Sequence, residues 1–270
     1  MSNSSPTFAL NHMTVPHLSW RDCARLAQAL GCVGVEMRGD LATPLFGGEA
    51  PETVATFLED HGLRLLAVAE VSAFNDGSDR AVAKTLELAE MAARAKAEAV
   101  ILIPAKGQSI SLDALCSALN ALGRELERFD MRGLIEPLGF AQSSLRSMKV
   151  ARAAIRETHG PERFGLVHDT FHHALAASNE LHSECIEIVH ISGVVKEGMA
   201  AHFLDQDRGL VDAQDRLGSV PQIKELSAQN CTAPLSFEAF APQVHRLADP
   251  KVALEASISH INGQLAAAAA

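Results

Sequence analysis

Ser78 to Pro104 reads "SDRAVAKTLELAEMAARAKAEAVILIP" and carries two patterns in one segment. Val82, Leu86, Ala89 and Ala93 recur at helical spacing, and Ser78 or Asp79 ahead of them supplies an N-cap. The helical pattern then gives way to the wholly apolar run 99–103, closed by Pro104. That run reads as a strand buried on both faces, the kind found in parallel sheets covered by helices.

The same handover recurs along the chain. Short apolar or β-branched runs at 8–15, 33–37, 63–69, 99–103, 133–136, 165–169, 186–191 and 234–238 alternate with amphipathic stretches. "SWRDCARLAQALG" starts at Ser19 and stops at Gly31, and "PETVATFLEDHG" starts at Pro51 and stops at Gly62, which is ordinary helix punctuation. Eight such units are the number that closes into a (β/α)8 TIM barrel of about 250 residues. A doubly wound open sheet is the alternative, but no GxGxxG follows the first strand.

With 270 residues, 47% of them hydrophobic, and no Pro/Gly/Ser-rich linker or charge block, the chain reads as one domain over 1–270, with loose ends at about 1–6 and 264–270. The net charge of −10 and the scattered basic residues oppose binding to a phosphate backbone. No apolar run approaches the roughly 20 residues that span a bilayer, and the N-terminus lacks a basic segment followed by an apolar one, so a cytoplasmic protein is expected. Cys23, Cys32, Cys116, Cys185 and Cys231 never fall in CxxC spacing, which disfavours a disulfide framework or a thiolate zinc site.

Chemistry on a barrel sits at the C-terminal ends of the strands. The fifth strand ends at Glu136, the sixth at Asp169, the seventh around His190 and the eighth at Glu238. Each alone is as well explained by a helix cap or an ion pair. Together they would meet across one barrel mouth, where unpaired carboxylates repel and a single divalent cation relieves the conflict. A donor set of carboxylates and one imidazole suits Mn²⁺, Mg²⁺, Co²⁺ or Zn²⁺.

The histidines of "FGLVHDTFHHAL", 164–175, separate by strand phase. If Asp169 faces the site, His168 faces the helices as a core residue, whereas His172 returns over the site as a substrate contact and His173 turns aside. His12, ending the first strand, is a further candidate for the pocket wall. Glu36 and Glu70 also end strands; ion pairs at the core rim, with Arg38 as a partner, are the preferred reading for them.

With these residues in place, the chain resembles the xylose-isomerase-like barrel superfamily of sugar isomerases and epimerases. Its pattern is a Glu on strand 5, an Asp on strand 6 with a His soon after, a His on strand 7 and a Glu on strand 8. Glu136, Asp169 with His172, His190 and Glu238 match in order and placement. The segments "AFNDGSDRAVAKTLELAEMAARAKAEAVILIP", "IEPLGF" and "FLDQDRGLVDAQDR" are most similar to the inosose isomerase branch. By this likeness Arg208 is a substrate-loop residue, and Lys196 falls where related epimerases place an Arg. Gly193 stands where many relatives have an Asp, and Gln142 where ketohexose epimerases have a Glu, which leaves the substrate open.

The resemblance implies proton transfer next to a carbonyl through an enediolate, on a small polyol or keto-sugar. Glu136 and Glu238 would serve as acid and base as well as metal ligands. The stretch 196–216 is far longer than an ordinary strand-to-helix connection; it suits a lid carrying Lys196 and Arg208, or a contact in a homo-oligomer. The rivals are a keto-inositol dehydratase using the same metal, an endonuclease-IV-like phosphodiesterase and a non-catalytic sugar-binding barrel.

Overall fold

Eight strands pair in parallel and in sequence order, and the last returns to the first: β1 (Phe8–Asn11), β2 (Gly34–Arg38), β3 (Arg64–Ser72), β4 (Ala99–Ile103), β5 (Arg132–Ile135), β6 (Phe164–Asp169), β7 (Ile186–Ile191) and β8 (Leu235–Phe237). They are separated by α1 (Trp20–Ala29), α2 (Pro51–Asp60), α3 (Asp79–Arg94), α4 (Leu112–Glu127), α5 (Met148–Glu157), α6 (Thr170–Ala176) and α7 (Ser219–Ala228). After β8 come a short α8 (Pro242–His245) and the long α9 (Pro250–Ala266). These elements belong to a computed structural model that describes residues 6–107 and 109–267. The expected loose ends at 1–5 and 268–270 lie outside the described residues, while α9 stays helical through Ala266. The (β/α)8 barrel expected from the alternation is the fold of the chain.

Strand alternation sorts the side chains into three environments. Val35, Met37, Val68 and Leu102 face outward and join one large apolar layer with the helices. Ala9, Leu66, Ala99, Ile101, Leu134, Val167 and Ile188 form a separate cluster that fills the barrel's lower interior. Two residues further along their strands, on the same face, Leu134, Val167 and Ile188 are followed by Glu136, Asp169 and His190, all buried. The apolar floor thus seals the polar mouth from below.

The helix of the opening segment differs in phase from the expected one. Ser78 does cap it, accepting from the Ala81 amide, but the buried face is Ala81, Thr85, Leu88, Ala89 and Ala92. Val82 and Ala93 lie half-buried on its flanks, packed against the same core.

The β7–α7 connection is drawn inward. Gly193 and Gly209 bridge each other, Phe203 is buried with Phe171, Val194 and Leu217, and Asp215 accepts from the amides of Val194, Leu217 and Ser219. The loop is thereby seated over the mouth with Arg208 beneath it.

Candidate metal centre and active-site cleft

Asp169 both ends β6 and caps α6. Its Oδ1 accepts from the amides of Phe171 at 2.7 Å and His172 at 2.9 Å, which leaves Oδ2 fixed toward the barrel axis. There it meets the other strand-end groups: one ligand atom each from Glu136, Asp169, His190 and Glu238 lies within 4.8 Å of the others, all four residues buried. His190 Nδ1 stands 3.3 Å from Glu238 Oε2, 3.5 Å from Glu136 Oε2 and 3.9 Å from Asp169 Oδ2, and among the described residues it has no hydrogen-bond partner. A buried ring nitrogen aimed at three carboxylate oxygens is a donor set that fits a hard or borderline divalent cation.

The orientation of His190 is set from behind. Its Nε2 lies 3.0 Å from Glu36 Oε2, and Ser236 Oγ donates to the other oxygen of Glu36. A carboxylate on the far nitrogen holds a proton at Nε2 and orients Nδ1 as the atom that would bind a cation, the usual support of a ligating histidine. Glu36 was expected in an ion pair with Arg38; instead it holds His190. Glu70 does pair with Arg38, at 2.9 Å.

Glu238 is the most heavily gripped of the four. Arg38 Nη1 donates to Oε1 at 2.8 Å, Asn11 Nδ2 to the same oxygen at 3.3 Å, and Arg208 Nη2 to Oε2 at 2.7 Å. Burial alone would raise its pKa, but His190, Arg208 and Arg38 hold it well below the carboxylate range. Glu136 has no guanidinium partner, and burial pushes it up to about 7, against the attraction of His190. His190 is raised well above its ordinary value: burial opposes its charge, yet Glu238, Glu36 and Glu136 outweigh that. The two glutamates therefore differ in proton affinity although both are buried.

Arg208 Nη2 also donates to Asp169 Oδ2 at 2.6 Å, and its guanidinium lies 4.5 Å from the Phe240 ring and 5.0 Å from Phe171. His172 packs edge-on to Phe140 and Phe171, with Nε2 4.0 Å from Glu136 Oε1. Desolvation lowers its pKa, so at neutral pH it faces the cleft uncharged. His168 points the other way, to Gln222 at 2.9 Å.

Two expected contacts stand elsewhere. Lys196 lies on the outer side of its loop, paired with Asp207 at 2.9 Å, because the 3-10 turn carrying Asp207 holds it there. His12 turns into its own connection and bonds the Leu18 carbonyl at 2.9 Å. Neither lines the cleft. Its walls are instead Arg38, Asp40, Glu70, Phe140, His172, Asp205, Arg208 and Phe240, around a cavity of about 200 Å³ above Glu136 and Glu238. Asp40, Asp205 and Phe240 carry no sequence signal because they follow strand ends on loops, where there is no period to place them.

Residues 24–263 match the xylose isomerase-like TIM barrel family. The chain belongs to that family. Among solved structures, a xylose isomerase domain-containing protein from Salmonella typhimurium LT2 is 27% identical, with a TM-score of 0.88 over 100% of both chains. The IolI protein with a bound zinc atom is 18% identical, with a TM-score of 0.83 over 97% of this chain and 98% of that one. The 3-keto-D-glucoside 4-epimerase YcjR from E. coli is 15% identical, with a TM-score of 0.67 over 96% of this chain and 100% of that one. No curated protein matches the sequence. Among the described residues, no helix of this xylose isomerase-like barrel is long and apolar enough to cross a membrane.

Proposed function

We propose that the protein is a divalent-metal-dependent isomerase or epimerase of sugars or keto-inositols that moves a proton next to a carbonyl. The observation that carries this reading is the unpartnered His190 Nδ1 facing Glu136, Asp169 and Glu238 beneath a small polar cleft. Those four residues would hold the ion. When bound, it supplies Lewis acidity that stabilises negative charge on the substrate's oxygens as an enediolate forms. The zinc of the IolI structure and the keto-sugar reaction in YcjR's name support the same assignment.

The chain's own groups account for the proton. Glu136 and Glu238 border the cleft as well as the ion site and are the groups suited to take a proton from substrate carbon and return it. Arg208 and the neutral His172 face the same space and would orient the substrate's hydroxyls, while Phe140 and Phe240 limit water.

The test is incubation of metal-loaded protein with inososes and ketohexoses in deuterated water. Deuterium at the carbon beside the carbonyl without loss of water is the expected result. Loss of water would assign the dehydratase instead, and absence of exchange with every keto-polyol would reject the catalytic reading.

A further inference from the structure

We propose that the cleft accepts an uncharged keto-polyol and rejects its phosphate ester. The inference rests on the keto-sugar isomerase reading and adds the charge class of its substrate.

A barrel that takes a phosphorylated ligand ordinarily seats the phosphate on backbone amides after strands 7 and 8, at the N-terminus of a short helix. Here the first amides after each of these strands are spent. After β7, Ser192 N donates to Thr170 Oγ1, Gly193 N to Gly209 O and Val194 N to Asp215 Oδ1. After β8, Glu238 N donates to Ile191 O at 3.0 Å and Ala239 N to Thr14 Oγ1 at 3.0 Å. The next two amides, Phe240 and Ala241, both donate to the Arg208 carbonyl, at 2.9 and 2.7 Å. The helix that follows is four residues long and opens with Pro242, which has no N–H to offer.

The side-chain cations are equally committed. Arg38 Nε and Nη2 hold Asp40 at 2.8 and 2.7 Å, Nη2 also reaches Glu70, and Nη1 holds Glu238. Arg208 spans Asp169, Glu238, Asp205 and Ser192. Six carboxylates, those of Asp40, Glu70, Glu136, Asp169, Asp205 and Glu238, thus surround two guanidiniums. A divalent cation still leaves that wall net negative. Nearby cations do not change the sum: Lys196 and Arg216 pair with Asp207 and Glu197, and Lys106 stands exposed outside the cleft wall. Hydroxyls suit such a wall, because carboxylates accept from them and guanidiniums already bound donate their remaining N–H groups. A phosphate dianion would face like charge in a site of low dielectric, where repulsion is several times stronger than in water.

Titration calorimetry on the Mn²⁺-loaded protein compares D-fructose with D-fructose 6-phosphate and myo-inositol with myo-inositol 1-phosphate, with inorganic phosphate as a competitor. The neutral member of at least one pair should bind, its ester at least tenfold more weakly, and inorganic phosphate should not compete. Asp40→Asn and Glu70→Gln should each narrow the gap severalfold at low salt, because each removes one charge from the wall and loosens Arg38. An ester that binds as tightly as its neutral partner, competition by inorganic phosphate, or no binding by either member of both pairs overturns the proposal. Solvent exchange keeps the two readings apart. Deuterium entering only a phosphate ester would sustain the isomerase and overturn the charge rule, whereas tight neutral polyols without exchange would do the reverse.

Discussion

Glu36 shows how one residue's meaning depends on its partner. In sequence it is an acid inside "VGVEMR"; in the fold it bonds the far nitrogen of His190. Glu36→Gln keeps the size but can leave the ring in the wrong tautomer, so divalent-metal affinity should fall roughly 10–100-fold with the far-ultraviolet dichroism unchanged. Unaltered affinity in a metal titration would show that Nδ1 is not a ligand. His168, one position before a proposed ligand, should act on stability instead. Burial, with the neighbouring His173, pushes its pKa down to about 4, against roughly 6.5 in the unfolded chain. Between those values the unfolded chain binds a proton that the folded chain does not. Stability present above pH 6.5 is therefore lost as pH falls through 4, by about 3 kcal/mol from this group. His168→Leu should flatten the fall in Tm over that window relative to the parent, and an equally steep profile would place the acid sensitivity elsewhere.

Among the elements, the connection after β5 and the loop after β7 set the shape of the cleft. A Cβ at Gly139 would lie 2.1 Å from the His172 carbonyl and 2.6 Å from Leu175 Cβ, so this connection can rest on α6 only without a side chain. Gly139→Ala should push Phe140 off His172, costing about 1–3 kcal/mol and a measurable part of kcat. Normal Tm and turnover would mean that the contact has room to relax. Arg208 ties the second element to the site. Arg208→Ala leaves Asp169 and Glu238 short of a counter-charge and should lower kcat/KM by roughly a hundredfold, about 2.7 kcal/mol, at unchanged mass in solution. A variant that turns over normally but changes its oligomeric state would reassign the loop to a contact between copies of the chain.

At the scale of the molecule, a folded barrel that crowds carboxylates around His190 should gain stability from the ion that relieves them. Saturation with Mn²⁺ or Zn²⁺ at about 100 times Kd should add about 2.7 kcal/mol, seen as a higher Tm and reversed by chelator. Asp169→Asn keeps the cap on α6 while removing a ligand charge, and should abolish that rise. An undiminished rise in this variant would move the metal elsewhere. The sequence by itself determined the eight alternating units, and with them the barrel, because burial on both faces of a strand forces apolar runs that no other arrangement hides so fully. It also determined which strand ends carry Glu136, Asp169, His190 and Glu238, since the two-residue period of a strand fixes which side chains share a face. Only the tertiary structure decided that Glu36 serves His190 rather than Arg38, that Arg208 is buried while Lys196 on the same loop is not, and that Asp40 and Asp205 line the cleft. Loops have no period, and an ion pair across more than 150 residues is settled by where closure of the sheet brings the strands, a distance that local sequence does not encode.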